Sequence, residues 1–343
     1  MIPSTTEQCQ REDWKKALAE AVRQPEELLA ALHLEPAQLP ELLPNSRDFP
    51  LRVPLDYVAR MRRGDPHDPL LRQILPLRQE QETPPGFVLD PVGDGPATAH
   101  PGLLQKYRGR ALLITTGACP IHCRYCFRRH FPYNEAHLGP EQLARALEHI
   151  AQDPSLEEII LSGGDPLSLS NERLQRLSDQ LAEIPHLKRL RIHSRMPIVL
   201  PQRVDEGFVD WLASLPWNTV MVVHANHGNE LSPNVRAALG RVRATGTTLL
   251  NQAVLLHGVN DSVADLKALS ESLFEAGTLP YYLHLLDRVQ GAAHFEVAEQ
   301  QARALLEQLR QQLPGYLVPR LVREQAGAPY KSLADTPAES AAP

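Results

Sequence analysis

The sequence predicts an α/β fold, a partial (βα)6 barrel of the TIM-like kind preceded by a helical region. Two observations carry this. Short, apolar, β-rich runs recur at 111–115, 157–161, 189–193, 219–223, 247–254 and 280–285. Amphipathic runs with helical spacing lie between them, at 140–151, 171–183, 204–213, 232–245 and 262–276, and a last one follows at 297–312. Strand, crossover helix, parallel strand is the βαβ pattern, and about six repeats suit an incomplete barrel better than a closed eightfold one. A doubly wound open sheet is the runner-up, because periodicity along a chain does not say which strands are neighbours in space.

The chain divides into three parts. Residues 1–100 are a helical and loop region: Trp14, Leu18, Val22 and Leu28 have helical spacing within 12–32, Pro25 is expected to break or kink that helix, and proline and charge follow. Residues 101–325 are the barrel. Residues 326–343 are small, proline-rich and polar, by composition a tail that carries Lys331 as a solvated side chain. With 43% apolar residues the chain can bury a sizeable core. A net charge of −6 argues against wrapping nucleic acid. The polar N-terminus has no apolar leader, and no run approaches the roughly 20 apolar residues of a membrane span, so a soluble, cytoplasmic protein is expected.

In either sheet type chemistry gathers where strands end. Cys119, Ser162-Gly163-Gly164-Asp165, His193-Ser194-Arg195, His224 to His227 and Asp287 all follow predicted strands. The cysteines are the sharpest signal. Cys119, Cys123 and Cys126 form C-x3-C-x2-C, three soft ligands on one short loop. Three thiolates on a [4Fe–4S] cubane leave one iron open for a small molecule, here the amino and carboxylate groups of S-adenosylmethionine (SAM). The alternatives are a Cys3His zinc site using His122 or His130, as in a zinc-stabilised binding module, and unligated thiols. Cys9 reads as a spare thiol. Gly163 and Gly164 allow close backbone approach to a ligand, and Asp165 could meet the SAM ammonium. Alone, that run is more often a turn.

Longer stretches resemble one family. CPIHCRYCFRRHFPY (119–133), SGGDPL (162–167), RIHSRMPIVLPQR (191–203), LLNQAVLLHGVND (249–261) and YYLHLLDRVQGAAHF (281–295) are similar to lysine 2,3-aminomutases of the radical SAM type. The nearest likeness is to the branch that serves (R)-β-lysylation of elongation factor P, and it runs from about Arg11 to about Lys331. The resemblance implies a [4Fe–4S] cluster on Cys119, Cys123 and Cys126. It implies SAM beside Tyr125, Ser162, Gly163, Gly164 and Asp165. It also implies pyridoxal 5′-phosphate (PLP) linked to Lys331, its phosphate near Lys106, Tyr107 and Arg110. Arg128 falls where the family binds the substrate carboxylate, and Asp287 where it meets a lysine ε-amino group. Glu324 takes the place of a family aspartate, and the glycine-rich run that precedes the PLP lysine in enzymes acting on free lysine is absent.

The implied activity is isomerisation of L-α-lysine to (R)-β-lysine. The implied partners are L-lysine, a flavodoxin- or ferredoxin-type electron donor, and, functionally, elongation factor P and its lysyl ligase. A free lysine 2,3-aminomutase of lysine metabolism is the alternative.

Overall fold

The computed structural model describes residues 14–43, 49–134 and 138–335. Cys9 lies outside the described residues. One ten-stranded sheet organises the chain: β1 (Thr98–His100), β2 (Leu103–Tyr107), β3 (Arg110–Thr116), β4 (Glu158–Gly163), β5 (Arg189–Ser194), β6 (Asn218–Val223), β7 (Thr248–Val254), β8 (Leu279–His284), β9 (Arg320–Arg323) and β10 (Ser332–Leu333). Each strand pairs with its neighbours in sequence, and β3 through β9 run parallel. A doubly wound sheet requires its strand order to reverse, so the sequential order leaves the partial barrel. The sheet does not close, because β1 and β10 do not pair.

The six expected strands are β3 to β8. Four strands escaped the sequence reading. β1 and β2 make an antiparallel edge ahead of β3, β9 continues the parallel run, and β10 pairs antiparallel with β9. They are short and partly exposed, so they carry no apolar alternation. Lys106 and Tyr107 are therefore the end of a strand. The tail at 326–343 is likewise tied down as far as it is described: Ser332 and Leu333 join the sheet, Arg303 donates to the Ala334 carbonyl at 2.9 Å, and Arg310 pairs with Asp335 at 3.0 Å.

The crossover helices begin where the chain supplies caps. Ser170, Ser232 and Ser262 each accept a backbone N–H at the start of Asn171–Ala182, Pro233–Ala244 and Val263–Glu275, and Asp205 does so for Glu206–Ser214. Their inward faces carry leucines such as Leu174, Leu181, Leu239, Leu266 and Leu273, all buried. Each such side chain contributes roughly 1.5–3 kcal/mol relative to exposure.

In the N-terminal region the helical run read over 12–32 is interrupted just before Pro25, as expected, and Pro25 itself begins the second helix. Residues 14–19 are helical, Val22 bridges to Val53, and Pro25 opens Pro25–Ala31. Proline suits a first turn because its missing N–H has no helical partner there. Trp14, Leu28, Tyr57 and Leu70 share a single apolar cluster with Leu161, Ile192 and Met221 of the barrel. This region is thus pressed onto the strand ends. Among the described residues no helix is long and apolar enough to cross a membrane.

Candidate functional site

The strand ends enclose a cavity of about 930 Å3, and every residue given a cluster, SAM, PLP or substrate role by the family resemblance lines it. Cys119, Cys123 and Cys126 sit on the loop after β3. That loop is shaped from the N-terminal side. The His122 N–H donates to the Arg52 carbonyl at 3.0 Å, and the Arg124 N–H to the Gln73 carbonyl at 2.8 Å. Arg124 forks onto buried Glu80 at 2.8 and 2.5 Å, and Arg129 joins at 2.7 Å. Burial alone would raise the Glu80 carboxyl, but these two guanidinium groups hold it below the ordinary range. Breaking such a pair costs about 3–5 kcal/mol, because a buried charge is left alone.

The donor set fits a cubane better than zinc. The His122 ring bonds to the Pro50 carbonyl and the His130 ring to that of Gln290. The three thiols instead share one wall of a large cavity. Burial pushes the Cys119 thiol well up and the Cys126 thiol to about 11, so metal binding must displace protons.

The close approach that Gly163 and Gly164 allow is to the protein's own backbone. Gly163 has φ +127°, and a Cβ there would stand 2.5 Å from the Thr116 oxygen; at Gly164 it would stand 2.4 Å from that of Ala118. The Gly164 and Asp165 N–H groups donate to those same oxygens at 2.7 and 2.8 Å. The glycines therefore let β4 close onto the root of the cysteine loop. Asp165 lines the cavity, but its carboxylate accepts from Ser194 Oγ, Leu167 N, Arg195 N and Met196 N at 2.8–3.1 Å. Burial pushes it up to about 6 despite these bonds. It knits the ends of β4 and β5. Tyr125 accepts from Asn226 Nδ2 at 2.7 Å, which fixes its ring on the cavity wall.

Across the cavity runs a chain of charges. Arg128 Nε pairs with Asp94 at 2.7 Å, and Arg128 Nη1 donates to Ser162 Oγ at 3.2 Å. Asp94 pairs with Lys106 at 2.6 Å, Lys106 with Glu324 at 3.0 Å, and Glu324 with Lys331. Burial opposes both carboxylates, yet Arg128 and Lys106 hold Asp94 below the usual range, and Lys331 and Lys106 hold Glu324 at about 2. Tyr107 and Arg110 stack beside this chain, the guanidinium carbon 4.6 Å from the ring centroid. Asp287 faces the cavity, where burial, with Glu324 adding to it, pushes its carboxyl up to about 7.

Sequence reasoning missed Asp94, which is 2% exposed and lies in a proline- and glycine-rich loop without periodicity. It noted Arg195 at a strand end but gave it no role, and it missed Gln73 and Glu230; the three meet behind the cysteine loop. Arg195 lay inside a quoted motif, and a buried arginine demands an acid; that was the available signal. His193, His224 and His284 line the cavity as neutral imidazoles, because burial lowers all three. His227 instead faces Asp265 at 3.4 Å.

The chain is similar to several known proteins. The Radical SAM superfamily model matches residues 113–266. The chain is 47% identical over 328 residues to the L-lysine 2,3-aminomutase of Escherichia coli (strain K12), covering 95% of each chain. It is 44% identical to that of Haemophilus influenzae, covering 94% of this chain and 96% of the relative. It is 31% identical to that of Clostridium subterminale, covering 93% of this chain and 77% of the relative. A solved radical SAM methyltransferase from Sphaerobacter thermophilus superposes on 64% of this chain and 68% of its own, with TM-score 0.45 and 19% identity. The chain belongs to the L-lysine 2,3-aminomutase family of radical SAM enzymes.

Proposed function

We propose that this isomerase converts L-α-lysine to (R)-β-lysine in the cytoplasm, with PLP as its second cofactor, and that the product serves β-lysylation of elongation factor P. The observation that carries the lysine reading is the charge chain from Arg128 to Lys331. It joins the cysteine loop to the C-terminal lysine across a cavity that also holds Asp287. A dibasic amino acid needs an arginine for its carboxylate and acids for its far ammonium, and both kinds are here.

Cys119, Cys123 and Cys126 hold the cluster, and Tyr125, Ser162 and the 163–165 backbone flank SAM. Lys106, Tyr107 and Arg110 take the PLP phosphate, and Lys331 anchors its aldehyde carbon. When bound, the cluster and SAM supply a hydrogen-abstracting radical, and PLP supplies the π-system across which nitrogen moves. The chain's own part is placement. Arg128 holds the substrate carboxylate while Asp94 fixes that guanidinium from behind. Asp287, and Glu324 once Lys331 has turned to PLP, meet the ε-ammonium. The wall of Tyr125, His193, His224 and His284 keeps water from the reacting carbons. A flavodoxin- or ferredoxin-type donor supplies the electron.

The test is an anaerobic assay of reconstituted protein with SAM, PLP, a reductant and free L-α-lysine. (R)-β-lysine should form, and its transfer to elongation factor P by the lysyl ligase should follow. No β-lysine from protein that carries its cluster and PLP would overturn the lysine reading. β-Lysine that the ligase does not use would overturn the elongation factor P role.

A further inference from the structure

We propose that Arg195 sets the reduction potential of the cluster by donating a hydrogen bond to the Cys123 sulfur, with Glu230 as its counter-charge. This rests on the reading of Cys123 as a cluster ligand.

Arg195 is the first residue past β5, and its backbone N–H is held by Asp165 at 2.8 Å. Its guanidinium is buried behind the cysteine loop. Nη1 lies 2.6 Å from Cys123 Sγ. Nη2 donates to Gln73 Oε1 at 2.6 Å, Glu230 Oε2 at 2.9 Å and Tyr57 OH at 3.2 Å. The rings of Tyr57 and Tyr125 each lie 5.6 Å away from it. Glu230 is fully buried, and its other oxygen accepts from the Asn226 and His227 N–H groups at 2.8 and 3.1 Å and from Gln73 Nε2 at 3.2 Å. Arginine, acid and amide therefore fix one another, and the guanidinium has no room to swing from the sulfur.

Such a group has an electronic consequence. A reduced cluster carries one more negative charge than an oxidised one. A fixed cation and an N–H···S bond at a ligand sulfur favour the reduced form, and hydrogen bonding to cluster sulfurs is a recognised lever on potential. The surroundings are buried, so solvent screens the effect little. Glu230 acts with the opposite sign. Removing Arg195 should lower the potential, and removing the charge of Glu230 should raise it.

The experiment is an EPR-monitored redox titration of anaerobically reconstituted wild type, Arg195→Gln, Arg195→Lys and Glu230→Gln, poised with dithionite and mediators without SAM. Iron and sulfide are assayed on the same samples. At a fixed applied potential, Arg195→Gln should lower the reduced-to-oxidised ratio about tenfold, a shift of about 59 mV for one electron. Glu230→Gln should raise it, and Arg195→Lys should fall between wild type and Arg195→Gln. A purely structural pair would lower iron loading in both without shifts of opposite sign. Loaded variants with the wild-type midpoint overturn the proposal while leaving the cluster assignment intact. If Arg195→Gln fails to load, Arg195→Lys and Glu230→Gln decide alone, and unmoved midpoints there overturn it. Wild type that binds no iron–sulfur cluster overturns the cluster assignment, and this inference with it.

Discussion

The Glu324 carboxylate accepts a hydrogen bond from Lys331 Nζ, seven residues further on, while its other oxygen takes Lys106 from the far side of the sheet at 3.0 Å. One carboxylate thus anchors the C-terminal segment to β2 and holds two basic side chains in the cavity.

That carboxylate is a stability element with a definite pH signature. Its folded value of about 2 lies below the ordinary 4.5, so its contribution is present above 4.5 and lost as pH falls towards 2. Glu324→Gln should destabilise the ligand-free protein by roughly 3 kcal/mol at pH 7. Urea unfolding of both proteins checks this, and the difference should shrink at pH values below 4.5.

Asp287 behaves in the opposite sense. Its carboxyl is pushed up to about 7, so below that pH it is protonated and cannot pair with an ammonium group. The kcat/KM for lysine should rise as pH climbs through 7. Asp287→Asn should remove that limb and lower kcat/KM by about 10²–10³-fold, the scale of losing one member of an enclosed charge pair. Without ligand the same variant should be more stable than wild type at pH 8, by up to about 4 kcal/mol. A folded value raised from 3.8 means stability present below 3.8 and lost as pH rises to 7. A flat kcat/KM profile in wild type would remove the role.

Lys331→Ala should abolish turnover, by at least about 10³-fold, because a residue that acts as a unit with its cofactor is not replaced by its neighbours. Iron content should stay at the wild-type level, since Lys331 lies across the cavity from the cysteine loop. Absorbance of lysine-bound PLP should vanish. Unchanged turnover would refute the assignment of Lys331 as the PLP lysine.

Much of the frame was legible in the residues alone. β3 to β8 and their helices were placed to within a few residues, because a buried parallel strand is a short apolar run and its crossover helix repeats every 3.6 residues. The cysteine loop was legible because its spacing is local. Gly163 and Gly164 were recognised as a close approach, but local sequence does not say to what, and the partner proved to be the Thr116 and Ala118 backbone. Lys331 read by composition as a solvated tail residue. Only the resemblance to a family drew it inward, and only the tertiary structure shows what holds the segment there: the β9–β10 pairing and the contacts of Glu324, Arg303 and Arg310.

By itself the sequence determined which segments become strands and helices, and that three sulfurs stand together at the end of the first barrel strand. Those properties depend on neighbours a few residues apart. The tertiary structure decided the sequential strand order that makes a barrel of βαβ repeats. It also decided the partners of each buried charge: Lys106 with Glu324 across 218 residues, Arg128 with Asp94 across 34, Cys123 with Arg195 across 72. A buried ion must find a counter-charge, but the rule names no particular one; only the folded path of the chain brings two side chains within 3 Å.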